Sequence, residues 1–229
     1  MNQRIKTVKL VADPYPPYQY KENNTVKGID HDIITAAFQE YKIKTKTQLF
    51  AWEVCIEHME MKKVDGIFQI TITPEREKAF LFSKPFRTAK TAFFRNTKTP
   101  IRLNKDVEIL TQLKRYKLGV LAGYSYDPMI DSLTEPVRTE VNSQEMLLED
   151  LLRRKFDLAL MDLGVAAYLI EKMGMDDIER VEGYEITRQL HVAFQKHLHE
   201  LVNLFNAGLD KVKEKGLYNK IFKNYGLDY

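Results

Sequence analysis

The sequence predicts an α/β protein built on mostly parallel sheets. Short β-type runs alternate along the chain with segments whose apolar residues recur every three or four positions, and one run, "VDGIFQITIT" (64–73), is apolar almost throughout. Strands alternating with helices imply a sheet with helices on its faces, and a strand buried on both faces reads as a near-continuous apolar run. The alternation occurs twice, on either side of "TAKTAFFRNTKTPIRL" (88–103), which is polar at both ends around a short aromatic strand and reads as a crossover between domains.

"TVKLVA" (7–12) alternates as a strand does, and the turn-rich "DPYPPY" (13–18) and "KENNTVKG" (21–28) follow it. Ile33, Ile34, Ala37, Phe38 and Tyr41 then recur at helical spacing, with Asp30 and Asp32 where a helix N-terminus favours acids. "KTKTQLFA" (44–51) is the next strand, "WEVCIEHMEMKK" (52–63) a helix, and the apolar run 64–73 a strand that breaks at Pro74. In the second half, "YKLGVLAG" (116–123), "VRTEV" (137–141) and "FDLALM" (156–161) are strands, and "NSQEMLLEDLLRRK" (142–155) and "LGVAAYLIEKMG" (163–174) are helices. The first of these helices buries Leu147, Leu148, Leu151 and Leu152 and is capped by Asn142 with Glu145 three residues on. The last forty residues are helical, with Leu201, Val202, Phe205, Leu209 and Val212 on one face and Gly216 as a stop.

Composition removes several function classes. Thirty-five Lys and Arg against 32 Asp and Glu leave a net charge of +3, with the signs interspersed, which is not the footprint of a nucleic-acid-binding surface. The single cysteine, Cys55, excludes an internal disulfide and reads as a small buried hydrophobe beside Ile56 and Met59. No apolar stretch approaches the roughly 20 residues needed to span a bilayer, and "MNQRIKTVKL" has no long apolar core of a signal peptide. His197 and His199, two apart on a polar stretch, read as solvated surface, not as metal ligands.

In an open α/β sheet, ligands bind beyond the carboxyl ends of the strands. Those ends are Asp13 to Tyr18, Trp52, Gln69 to Arg76, Ala122 to Tyr126, and Asp162. Arg76 offers a planar fork that pairs with a carboxylate through two parallel bonds, so it is a candidate anion clamp; the alternative is a surface ion pair with Glu75 or Glu77. Asp162 directly follows an apolar run, where a carboxylate is costly unless a cation or donors meet it. An ammonium group would meet it, and so would the first amides of the next helix. Tyr15, Tyr18 and Trp52 supply apolar or stacking walls, or loop and core packing.

These residues carry a resemblance. "GIDHDII" (28–34), Trp52 with the helix to "VDGI", "ITITPERE" through "FSKPF" (70–86), "LGVLAG" (118–123), "FDLALMD" (156–162) and "LFNAGLDKVKEKGLYNKIFKNYG" (204–226) resemble the bacterial extracellular solute-binding proteins of family 3, the polar amino-acid receptors of ABC importers. The resemblance implies a two-lobed periplasmic-binding-protein fold, a Venus flytrap, with mostly parallel sheets and two hinge crossovers. Lobe I would hold residues 1–92 plus 188–229 and lobe II residues 93–187, with "TAFFR" (91–95) and "LHVAF" (190–194) as the hinge strands.

By the same resemblance, Arg76 clamps the ligand α-carboxylate, Thr71 assists it, Asp162 binds the α-amino group, and Tyr15 and Trp52 line the ligand side chain. Gln69 stands where the family has a small residue whose carbonyl faces the ligand; Asp13 is one position off an acid used by receptors of polar ligands. The second lobe departs from the family's Gly-Thr, because Gly123 is followed by Tyr124 and Ser125. The implied protein is no enzyme and has no cofactor or metal. It is a monomer that binds a small-molecule ligand, a polar L-amino acid or close analogue, and presents it to an ABC permease in the membrane. It is expected in the periplasm or outside the cell, associated with the cell surface, its signal peptide absent from this chain. The same fold also serves as the sensor domain of transmembrane receptors and, in some relatives, as a cyclohexadienyl-dehydratase-like enzyme, for which Asp13 and Asp162 are the available carboxylates.

Overall fold

The structure, a computed structural model, describes residues 6–124, 126–134 and 137–227. In chain order these form β1 (Thr7–Ala12), β2 (Tyr20–Glu22), β3 (Thr25–Lys27), α1 (Ile29–Gln39), β4 (Lys44–Leu49), α2 (Trp52–Glu60), β5 (Gly66–Ile70), α3 (Pro74–Ala79), β6 (Phe80–Phe82) and β7 (Arg87–Asn96). There follow α4 (Ile109–Leu113), β8 (Leu118–Leu121), α5 (Pro128–Asp131), β9 (Arg138–Val141), α6 (Gln144–Leu152), β10 (Leu158–Asp162), α7 (Leu163–Met173), β11 (Ile178–Gln195), α8 (His199–Glu214) and α9 (Leu217–Asn224). The chain divides into two compact units, Met1–Thr88 with Gln189–Tyr229, and Ala89–Arg188.

In the first unit β1 lies between β4 and β5 and runs parallel to both, while the end of β11 pairs antiparallel with β5 and with β6. One face of this sheet packs Val11, Ile67 and Ile70 against Cys55 and Met59 of α2. On the other, Phe38 of α1 meets Phe205 of α8, ring centres 5.3 Å apart, over Phe194. Helices α1 and α8 approach so closely that a Cβ on Gly208 would stand 2.1 Å from the carbonyl oxygen of Ala37, so only glycine fits there.

Asp30 is more than a favourable acid at a helix start. Its side chain is fully buried and takes two bonds from Arg87, from Nε at 2.6 Å and from Nη2 at 3.0 Å. The Arg87 guanidinium also lies 3.5 Å from the centre of the Tyr18 ring. Neither charge reaches water, so the bidentate geometry is what offsets their desolvation. The pair ties the beginning of α1 to the beginning of β7.

The second unit has strand order β7-β10-β8-β9, with β8 parallel to β9 and β10, and β7 antiparallel to β10. Phe93, Leu118, Val120, Ile130, Leu158 and Leu160 make its core. Each unit thus has two parallel strand pairs and at least one antiparallel neighbour. The α/β class holds, and the sheets are mixed.

Local differences from the sequence reading have local causes. "KENNTVKG" contains most of a β-hairpin, β2–β3, because Asn23 and Asn24 both take positive φ (47° and 64°), the backbone of a two-residue hairpin turn whose twist suits paired strands. Helix α6 is capped by Ser143, not Asn142: Ser143 is extended and its Oγ accepts from Met146 N at 3.1 Å. Leu147, Leu148 and Leu151 are buried as expected, while Leu152 and Val202 are only half-buried. The strand expected over 64–73 stops at Ile70, because Thr73 turns the chain and caps the short helix α3, accepting from Arg76 N at 3.3 Å.

Candidate functional site

In the first unit the candidates collect where β1 and β5 end. Thr73 as cap and Pro74 in the first turn start α3, and this turn sets Arg76 so that it reaches back along its own loop. Its Nη1 donates to the Thr71 carbonyl at 3.0 Å and to Thr71 Oγ1 at 3.1 Å, and its guanidinium carbon stands 5.5 Å from the centre of the Trp52 ring. Arg76 is half-buried, and burial pulls its pKa below the ordinary arginine value. Among the described residues no carboxylate pairs with it; Glu75 and Glu77 are exposed and form no ion pair with it. The surface-ion-pair alternative is therefore not what the structure has. Nε and Nη2, one edge of the fork, are left for an anion.

Asp13 follows β1 and is half-buried. Loss of solvation pushes its pKa up to about 6; its backbone hydrogen bond opposes this and the charge of Glu53 adds to it. Tyr15 stacks on Tyr18 with ring centres 5.9 Å apart, and its backbone N–H donates to the Gln19 carbonyl at 2.7 Å. Gln19 itself is 0% exposed. Its Nε2 donates to the Asp13 carbonyl at 3.0 Å and to Gln69 Oε1, so it joins the ends of β1 and β5. Nothing in the sequence singles out Gln19, a polar residue in an aromatic loop; only its burial marks it.

Trp52 opens α2 and is half-buried at the margin of the apolar cluster around Cys55. Cys55 is buried, with Sγ 3.6 Å from the Phe50 carbonyl, and burial pushes its thiol up to about 11. It is an inert core residue. His197 and His199 are exposed, and among the described residues no group of three or more His, Cys, Asp or Glu could hold a metal ion.

In the second unit Gly123 and Tyr124 follow β8, and Asp162 ends β10, two strands that pair in parallel. Gly123 takes the left-handed conformation, φ 74°. Tyr124 is half-buried against the core of its unit, its ring 6.2 Å from that of Tyr126. Ser125 lies outside the described residues. Asp162 is buried and caps α7, Oδ1 accepting from Gly164 N at 2.9 Å and Val165 N at 3.2 Å. Those two bonds satisfy orphan amides in the first turn of the helix and fix the orientation of the side chain. A carboxylate so held has a fixed position at a strand end.

Among described residues, no helix is long and apolar enough to cross a membrane. The chain is 26% identical over 232 residues to the L-arginine-binding protein of Pseudomonas aeruginosa, covering 96% of this chain and 88% of that one. Its fold is that of the arginine-, lysine-, histidine-binding protein ArtJ of Geobacillus stearothermophilus, with a TM-score of 0.74, 21% identity, and 98% and 97% of the two chains covered. It is equally that of a histidine kinase sensor domain with similarity to periplasmic binding proteins, TM-score 0.76 at 19% identity over 98% and 97% of the chains. Over residues 8–228 the chain matches the bacterial extracellular solute-binding proteins, family 3, and it belongs to that family.

Proposed function

We propose that this solute-binding protein captures a polar L-amino acid and presents it to an ABC permease in the membrane. The observation that supports this most is Arg76: a half-buried guanidinium, steadied by Thr71 and Trp52, with one edge of its fork uncommitted. That edge fits an α-carboxylate through two parallel bonds. Asp162, whose Oδ1 accepts from the first amides of α7, takes the α-amino group. Tyr15, Trp52, Gln69 and Asp13 in the first unit, and Gly123, Tyr124 and Ser125 in the second, complete the binding set. The names of the relatives, which bind arginine, lysine or histidine, support an amino-acid ligand. The protein is a monomeric receptor outside the cytoplasm, not an enzyme: Asp13 and Asp162 hold and orient a ligand and carry no reaction.

The test is a thermal-shift screen of the refolded protein against the twenty L-amino acids, ornithine, citrulline and small dicarboxylates. Refolding strips carried-over ligand, and a ligand at a hundredfold excess over its dissociation constant adds about 2.7 kcal/mol of stability. A rise confined to one group of L-amino acids is expected. A flat response to all of them rejects the amino-acid reading.

A further inference from the structure

The ladder between β5 and β11 skips one residue. Ile70 pairs with His191 and Phe68 with Val192, so Gln69 is the extra residue of a β-bulge. Its φ is 61°, a left-handed conformation that glycine adopts freely and glutamine only against its own Cβ. A β-bulge re-aims a side chain, and such bulges are over-represented beside sites. Thr71, two residues on, holds Arg76.

The orientation of the Gln69 carboxamide follows from its neighbours. The Asp13 carbonyl can only accept, so the Gln19 amide must turn its NH2 toward it. The same NH2 donates to Gln69 Oε1. Gln69 Nε2 is then the end left over, and it has no partner among the described residues. Gln19 pays for this arrangement: it is 0% exposed and its Oε1 is buried without a partner. An apolar residue would fill that space with no orphaned oxygen, so packing does not explain the pair.

We infer, building on the amino-acid reading above, that Gln69 determines specificity by donating Nε2–H to the ligand side chain, and that the ligand class is amino acids ending in a neutral carbonyl oxygen, a carboxamide or ureido group. Guanidinium and ammonium groups carry donors only and cannot accept from Nε2. Acidic side chains accept, but they bring a third negative charge to a corner that already holds Asp13 and Glu53.

Isothermal titration of the refolded chain with L-glutamine, L-citrulline, L-arginine and L-lysine tests this in the parent protein, Gln69→Glu and Gln69→Gly. Glutamate keeps the oxygen that accepts from Gln19 and exchanges the free donor for an acceptor; glycine suits the backbone and removes the side chain. In the parent, glutamine or citrulline should bind at least about tenfold tighter than arginine or lysine. Gln69→Glu should reverse that order. Gln69→Gly should weaken the carbonyl-bearing ligands about three- to tenfold more than it weakens arginine and lysine, with thermal melting confirming that it folds. A parent protein that prefers arginine or lysine, or an order unchanged in Gln69→Glu, overturns the specificity assignment and leaves the amino-acid reading standing. A folded parent that binds none of the L-amino acids overturns the amino-acid reading itself.

Discussion

The Arg76 guanidinium lies against Trp52, 5.5 Å from the ring centre, and among the described residues is bonded only to the uncharged oxygens of Thr71. An arginine engaged this way contributes little to the folded state, because its donors are only partly used and its charge meets no counter-charge. Arg76→Ala should therefore leave thermal melting nearly unchanged while weakening ligand binding at least about a hundredfold, since the ligand carboxylate would lose a desolvated two-bond partner. Arg76→Lys should lose most of the same affinity, because an ammonium group cannot reproduce the fork. Calorimetric titration with the ligand from the screen decides it. Retained tight binding in Arg76→Ala would remove Arg76 from the site.

Asp162 caps α7 and is the proposed partner of the ligand α-amino group, and one substitution separates the two. As the cap of α7 it can be replaced by asparagine, which caps about as well. As a partner for an α-amino group it cannot, because the charge is gone. Asp162→Asn should melt within a few degrees of the parent and bind at least about tenfold more weakly. Unchanged affinity would leave Asp162 as a helix cap alone.

Asp13 gives a pH signature of known sign. Its pKa is raised from 3.8 to about 6 in the folded protein, so between those values the native state holds the proton more tightly than the unfolded chain does. Stability of the ligand-free protein should fall as pH rises through this window. Asp13→Asn should remove the penalty, stabilising the protein at pH above about 7 by at most about 3 kcal/mol and converging with the parent below about pH 4. Urea unfolding across that pH range measures it, and parallel curves for the two proteins would show that Asp13 keeps an ordinary pKa.

The Cys55 thiol, buried and pushed up to about 11, should resist alkylation in the native protein at neutral pH. Mass spectrometry after iodoacetamide treatment should find one modified thiol per chain in denaturant and essentially none without it. Rapid native labelling would mean that the α2 cluster opens locally.

Much of the fold was legible because apolar period reports burial directly. The alternation in "TVKLVA" and the helical spacing of Ile33, Ile34, Ala37 and Phe38 both became buried faces. Short elements escaped because their signals are conformational: left-handed Asn23 and Asn24 build a hairpin, and a Thr73 cap ends a strand that hydrophobicity alone would carry on to residue 73. Asp162 drew notice as a carboxylate beside an apolar run, to be met by an ammonium group or by the first amides of the next helix; the structure gives it the amides of Gly164 and Val165.

Which residues are chemically able to grip an amino acid was set by the sequence itself: an arginine, a threonine, carboxylates and aromatics at the ends of apolar runs, in segments that resemble one family. What each of them is doing was decided by tertiary structure. Two arginines eleven positions apart look alike as letters; Arg87 is spent on buried Asp30, whereas Arg76 has no carboxylate among the described residues. Gln19 and the bulge at Gln69 are likewise absent from any sequence pattern. The reason is physical: burial and hydrogen-bond partnership depend on residues distant along the chain, so a side chain's freedom to bind a ligand exists only after the fold has assigned its neighbours.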